Sequence, residues 1–159
     1  MLPALIDEDF YGWVLAQAAA LRSRGDFPID WENVAEELEA MGRAEENSLQ
    51  SYLERLLIHL LKYAYQTKKI TPSWESSIEN SRVRLELLFK RSPSLKSKIG
   101  ELFEDAYRLA RGSAGAQMRM SKRQWDAFLP KTCPWPLATV LDPDFWPSAT
   151  GGSNGHNQS

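Results

Sequence analysis

DWENVAEELEAMGRAEENSLQSYLERLLIHLLKYAYQ, residues 30–66, decides the fold. Trp31, Val34, Ala35, Leu38, Met41, Gly42, Leu49, Leu53, Leu56, Leu57, Leu60 and Ala64 recur at steps of three and four, the spacing that keeps one face of an α-helix apolar. The stretch therefore predicts one very long amphipathic helix, with the rest of the chain packed around it. At 1.5 Å per residue such a helix runs roughly 54 Å, whereas a compact domain of this size has a radius of gyration of about 15 Å. Either the body is an elongated bundle or the helix kinks near Gly42. The polar run GRAEENS, residues 42–48, is its weak point, because Glu45 and Glu46 fall within or beside the apolar stripe. Three arrangements would accommodate them: the helix extends past its partners here, a kink rotates the stripe, or Glu45 meets a buried cation. Arg22, Arg43, Arg55 and Arg82 are the cations considered as partners for Glu37 or Glu45.

Working outward, Asp7 is expected to begin a first helix, with Glu8 and Asp9 in its opening turn where negative charge suits the helix dipole. Phe10, Trp13, Val14, Gln17 and Leu21 make its inner face, Gly12 suggests a close helix contact, and Gly25 stops it. Phe27 and Pro28 turn the chain, and Asp30 caps the long helix. On the other side, Thr71 with Pro72 opens a third helix carrying Trp74, Ile78, Leu85, Leu88 and Phe89. Ser92 with Pro93 repeats that device for a fourth, burying Leu95, Ile99, Leu102, Phe103, Ala106, Leu109 and Ala110. Gly112 and Gly115 predict a frayed end. From Trp125 the chain is apolar and broken by proline, so one short helix, about Trp135 to Leu141, is expected within an irregular wrap. Phe128, Trp135, Leu137, Val140, Phe145 and Trp146 should cover the core's ends.

The fold class is thus all-α: a helical bundle built round one long helix (30–66), straight or kinked, with four main helices, a short C-terminal helix and an irregular wrap. A single helical domain is expected over 1–147, followed by a flexible polar tail at 148–159 that includes His156. No apolar run reaches membrane-spanning length and no secretory leader is recognisable, so no membrane is expected and the cytoplasm is the default compartment. Cys133 is the only cysteine, which leaves neither an intrachain disulfide nor a thiolate cluster and favours a structural thiol. The net charge of −2 hides an asymmetry. Residues 1–66 carry 5 Lys/Arg and 12 Asp/Glu, while residues 67–159 carry 14 and 9. Acidic and basic helices lying side by side explain this, and overall acidity argues against a dedicated nucleic-acid binder.

Further residues form a family pattern. Asp9-Phe10-Tyr11 with Trp13; Asp30-Trp31-Glu32-Asn33 running into Ala35-Glu36-Glu37-Leu38-Glu39 and Met41-Gly42; His59-Leu60-Leu61-Lys62; Ser73-Trp74; Ser92-Pro93-Ser94-Leu95; and Cys133-Pro134-Trp135 before Leu141-Asp142 and Phe145 together resemble the bacterial family called domain of unknown function 29. The resemblance runs over about residues 5 to 147. Gly112 to Lys122 and Pro136 depart from its usual pattern. It implies an all-helical soluble protein and brings no activity with it.

Among single residues, His59 is the foremost catalytic candidate, with Glu37 as its acidic companion. A general base or metal ligand needs a carboxylate or second ligand within reach, yet the helical neighbours of His59 are Tyr52, Arg55, Leu56, Lys62, Tyr63 and Gln66. A structural histidine bonded to a tyrosine or a carbonyl is the expectation. Glu37, Glu45 and His59 are a remote metal set, since Glu45 lies roughly 21 Å along a straight helix from His59; no metal and no cofactor are expected. Trp31 and Trp74 should pack as anchors, each indole N–H seeking an acceptor. The leading functional expectation is a non-enzymatic helical module binding another protein or itself, with Trp13, Trp31, Arg43 and Trp74 as interaction candidates. The rivals are an enzyme of unknown, metal-assisted reaction using His59, and nucleic-acid association through Arg82, Arg84, Lys90, Arg91, Lys96 and Lys98.

Overall fold

A computed structural model describes residues 10–25 and 28–148. The protein is all-α, with six helices among those residues: α1 (Phe10–Ser23), α2 (Trp31–Tyr65), α3 (Pro72–Arg91), α4 (Ile99–Gln117), α5 (Lys122–Phe128) and α6 (Leu137–Leu141). The long helix is thus real and continuous through Gly42. The chain divides into two compact units, residues 1–45 and 46–159, and the boundary falls inside GRAEENS.

In the first unit α1 ends in a left-handed reversal, Arg24 at φ 57° and Gly25 at φ 128°. Only glycine adopts the second value without a Cβ penalty, which is why Gly25 stops the helix. Asp30 then caps α2 as expected, its carboxylate accepting the backbone N–H of Asn33 at 3.3 Å and the Asn33 side-chain amide at 2.8 Å. Gln17, buried on α1, fixes this entry by accepting the Asp30 N–H at 2.9 Å. Leu21, expected inside, is exposed. So is Trp31: the tryptophan that opens α2 is no buried anchor but 68 % accessible, and Leu38 and Met41 follow it at 62 % and 65 %. The start at Asp7, the surroundings of Gly12, the side chains of Phe10, Trp13 and Val14, the turn at Phe27 and the tail from residue 149 lie outside the described residues.

The second unit holds the core. Leu49, Leu53, Leu56, Leu57, Leu60, Leu61 and Ala64 of α2 are wholly buried. With Ile58 also inside, five of the six residues from 56 to 61 are buried, so α2 is interior on most of its circumference here. Each such leucine contributes about 2 kcal/mol relative to exposure. Thr71 caps α3 by accepting the Trp74 N–H at 3.3 Å, with Pro72 in the first turn. Ile78, Leu85 and Leu88 face inward. Pro93 does not open α4 directly: it starts a 3-10 turn, Pro93–Ser97, and α4 begins only at Ile99. Leu109, expected inside α4, is 50 % exposed. Ala106 and Ala110 are buried as expected, joined by Ala114, Tyr107 and Arg111.

Two expectations for the C-terminal part are corrected. α4 does not fray at its glycines but runs through Gly112 and Gly115 to Gln117. A Cβ at Gly115 would sit 2.5 Å from Cβ and Cδ1 of Trp125, so Gly115 marks a close approach rather than a weak end. Trp125 itself belongs to a regular helix, α5, where irregular chain was expected. Its start is a full capping box: Ser121 Oγ accepts from Gln124 N at 3.3 Å, and Gln124 Oε1 accepts from Ser121 N at 2.8 Å. Beyond α5 the wrap is as expected: Trp135, Leu137, Leu141, Phe145 and Trp146 pack against the core and Val140 is fully buried. Phe128 is the exception, 46 % exposed with its edge to Tyr65.

Candidate functional site

The C-terminal wrap is tied down by polar side chains that are themselves buried. Tyr107 donates its hydroxyl to the carbonyl of Pro130 at 2.6 Å. Burial pushes that phenol far above its usual range. Arg111 donates from Nε and Nη2 to the carbonyl of Leu129 at 3.2 and 2.8 Å, from Nη2 to the carbonyl of Asp126 at 2.7 Å, and from Nη1 to the Asp126 carboxylate at 2.7 Å. Its guanidinium also lies 5.1 Å from the Trp125 ring centroid. Every nitrogen of Arg111 is matched, and this one side chain finishes the C-terminal turn of α5.

Arg82 on α3 is the counterexample. It is equally buried, at 7 % exposure, and donates Nε to the carbonyl of Val140 at 3.1 Å, with its guanidinium 5.9 Å from the Trp146 ring centroid. Nη1 and Nη2 have no acceptor. Asp142 and Glu79 favour its charge from a distance, while burial opposes it. These two are the carboxylates that act on the Arg82 charge.

Arg82 forms part of the wall of a cleft of about 790 Å³ between α3, the 3-10 turn and the segment after α6. Lys90 and Lys96 stand in the same wall, opposed by Glu79 and Glu86. The remaining surface is apolar, from Val83, Leu85, Phe89, Leu141 and Pro143. This volume suits a small organic molecule or a side-chain cluster of a partner. Arg82, Lys90 and Lys96 are among the cations the sequence offered for nucleic acid, but the cleft itself was not legible, because its wall is assembled from residues 79 to 143.

The sequence candidates sit elsewhere. His59 is half-buried, with Nδ1 2.8 Å from the carbonyl oxygen of Arg55, one helical turn back. Donation to a carbonyl requires the proton on Nδ1. Burial lowers its pKa from 6.5, the charges of Lys62 and Arg55 lower it further, and the bond to Arg55 opposes them. The charges acting on His59 among the described residues are thus the cations Lys62 and Arg55, where an acid–base pair would have a carboxylate. Among the described residues no three His, Cys, Asp or Glu side chains gather as a metal site. Glu37 and Glu45 are half-buried in the first unit and Arg43 is exposed. Trp74 is a packed residue, its ring 4.4 Å below the Lys62 ammonium, and Lys62 also donates to Gln117 Oε1 at 3.1 Å. Cys133 is half-buried, and burial raises its thiol pKa, as suits a structural thiol. Of the six cations weighed for nucleic acid, Arg82 is withdrawn into the interior and Lys98 stands 3.7 Å from Glu101.

The family model described as domain of unknown function DUF29 matches residues 5–146. The chain belongs to that family. In this DUF29 chain the match spans parts of both compact units and ends on Trp146, the last residue of the aromatic wrap. No curated protein and no solved structure matches it. Among the described residues of this DUF29 protein, no helix is long and apolar enough to cross a membrane.

Proposed function

We propose that this DUF29 chain is a non-catalytic helical interaction module that docks a protein partner through the apolar face of the first half of α2. The observation that carries the reading is the exposure of Trp31, Leu38 and Met41, at 68 %, 62 % and 65 %, on a helix whose later leucines are buried. At about 100° per residue, Trp31 and Leu38 lie about 20° apart on one face of the first half of α2. Large apolar side chains aligned on one exposed face favour an interface over plain solvent.

The rim of that face is acidic, with Glu32, Glu36 and Glu39 exposed around it. Its favoured occupant is an apolar surface rimmed by Lys and Arg, and a second copy of the chain supplies one. Val83 and Leu87, one turn apart on α3, are 50 % and 57 % exposed beside Arg84 and Lys90. Opposite charge on the two surfaces speeds association and sets register.

Sedimentation over a wide concentration range, at low and high salt, tests this. The expected result is a salt-weakened dimer that Leu38→Glu abolishes and Leu87→Lys disrupts. A monomer under all conditions, or a dimer indifferent to both substitutions, overturns it.

A further inference from the structure

The two buried arginines of the second unit pose a question that the association surface does not answer. Arg111 matches all its nitrogens within the protein, whereas Arg82 matches one. A guanidinium carries five N–H donors in a rigid fork and keeps its charge at any working pH. Four of those donors on Arg82, on Nη1 and Nη2, face no protein acceptor. Buried donors are rarely left this way unless something else supplies the oxygen. Asp142 and Glu79 are close enough to act on the charge but neither bonds to it, and the Asp142 carboxylate accepts the Asp144 N–H at 2.9 Å.

The setting of Arg82 narrows what the missing acceptor is. The wall of its cleft carries three cations, Arg82, Lys90 and Lys96, and two carboxylates, Glu79 and Glu86. Asp142, which also acts on Arg82, brings the charges level; the unmatched Arg82 donors, rather than net charge, are what call for an anion. The cleft is also far larger than an inorganic ion needs, and apolar groups such as Phe89, Leu141 and Pro143 make up the rest of its wall. The geometry points to a binding site for an oxyanion carried on an apolar body, a carboxylate or a phosphate ester, whose two oxygens meet the Nη1 and Nη2 edge of Arg82.

That pairing is the bidentate fork to which guanidinium geometry is matched. The terminal nitrogens are shielded from solvent. An anion therefore reaches them by displacing whatever packs over them, and Lys90 and Lys96, exposed in the same wall, add their positive charge to the site. The apolar body occupies the space against Phe89 and Leu141. The site goes beyond the proposed association: the two share Val83 and Lys90 at the cleft's edge, but its core, Arg82, is buried and belongs to the cleft alone.

The test uses the full chain carrying Leu38→Glu, so that loss of association and loss of anion binding are read separately. The probes are 4-phenylbutyrate, its neutral amide, phenyl phosphate and inorganic phosphate. Binding is followed by the Arg82 Nε–Hε resonance and by the backbone amides of Phe89 and Leu141. The expected result is saturable shifts at these positions with 4-phenylbutyrate or phenyl phosphate, and binding about tenfold or more weaker for the amide, as loss of charge-assisted hydrogen bonds implies. The tighter of the two acids tells carboxylate from phosphate ester, and weak binding of inorganic phosphate shows that the apolar body contributes. Arg82→Met should abolish the shifts at Phe89 and Leu141. Lys90→Ala with Lys96→Ala, at exposed positions that leave the fold intact, should weaken binding several-fold by removing two nearby charges. Equal binding of acid and amide, shifts confined to other parts of the molecule, or no saturable shift with either acid overturns the inference.

Discussion

Arg111 on α4 and Asp126 on α5 are joined by a 2.7 Å ion pair whose guanidinium is nearly buried while the carboxylate is half-exposed. The hydrogen bond from Arg111 holds the Asp126 carboxyl below its ordinary value of 3.8. Most of what Arg111 does, however, is directed at the carbonyls of Asp126 and Leu129. Arg111→Met should therefore cost about 3 kcal/mol, because it orphans buried acceptors as well as a charge. Asp126→Asn should cost much less. Denaturant unfolding of the two variants checks the order.

Arg82→Met should behave differently. Removing a buried charge whose terminal nitrogens are unmatched relieves a desolvation cost, so stability in buffer free of organic anions should fall by at least about 1 kcal/mol less than in Arg111→Met. Thermal melts of both in the same buffer decide it. Equal losses would mean that the Val140 carbonyl and the Trp146 contact dominate at Arg82.

Gly112 and Gly115 should respond to alanine with opposite signs. The nearest atom to a Cβ at Gly112 is Cζ2 of Trp125 at 3.9 Å, an ordinary contact, so Gly112→Ala should stabilise by about 0.5–1 kcal/mol through helix propensity. At Gly115 the same methyl collides with Trp125, and overpacking of about 1–3 kcal/mol outweighs that gain. Chemical denaturation of the two single variants tests the contrast.

His59 should impose a pH dependence on stability. Its folded pKa lies below 6.5, so the unfolded chain binds more protons, and stability rises with pH through the window between the lowered folded value and 6.5. Below that window both states are protonated and the slope vanishes. Melting temperatures from pH 7 down to pH 5 should fall less in His59→Gln than in the parent; parallel curves would contradict the assignment.

The two halves of α2 should separate in the same kind of measurement. Leu53→Ala, in the wholly buried part, should cost about 2–5 kcal/mol. Leu38→Ala, at 62 % exposure, should stay within about 0.5 kcal/mol.

These contrasts also show what could be read before the structure. The buried leucines of α2 were legible because a helix writes its packing into the sequence as a period. Thr71 with Pro72 and Asp30 with Asn33 were legible because caps are local. Ser121 and Gln124 carried a readable cap too, but α5 spans only seven residues and offers no period to support it. Gly112 and Gly115 looked like breakers because their reason, Trp125, lies ten and more residues further on. The contacts of Tyr107, Arg111 and Arg82 were out of reach, since nearly all their acceptors are backbone carbonyls, which any residue type can supply. Trp31 misled for the opposite reason: aromatic character signals a contact without saying whether the contact lies inside the chain.

The carbonyls of Leu129, Pro130 and Val140 that receive Arg111, Tyr107 and Arg82 all follow α4 in the chain. During synthesis, which proceeds from the N-terminus at about 5–20 residues per second, α2, α3 and α4 are made, and begin to emerge, before those acceptors can reach them. For that interval three buried-side donors have only water as partner, and the helices can gather but not close. The stretch from Leu129 through Trp146 therefore acts as the latch of the nascent protein, and a chain cut just after α4 should lack a closed core.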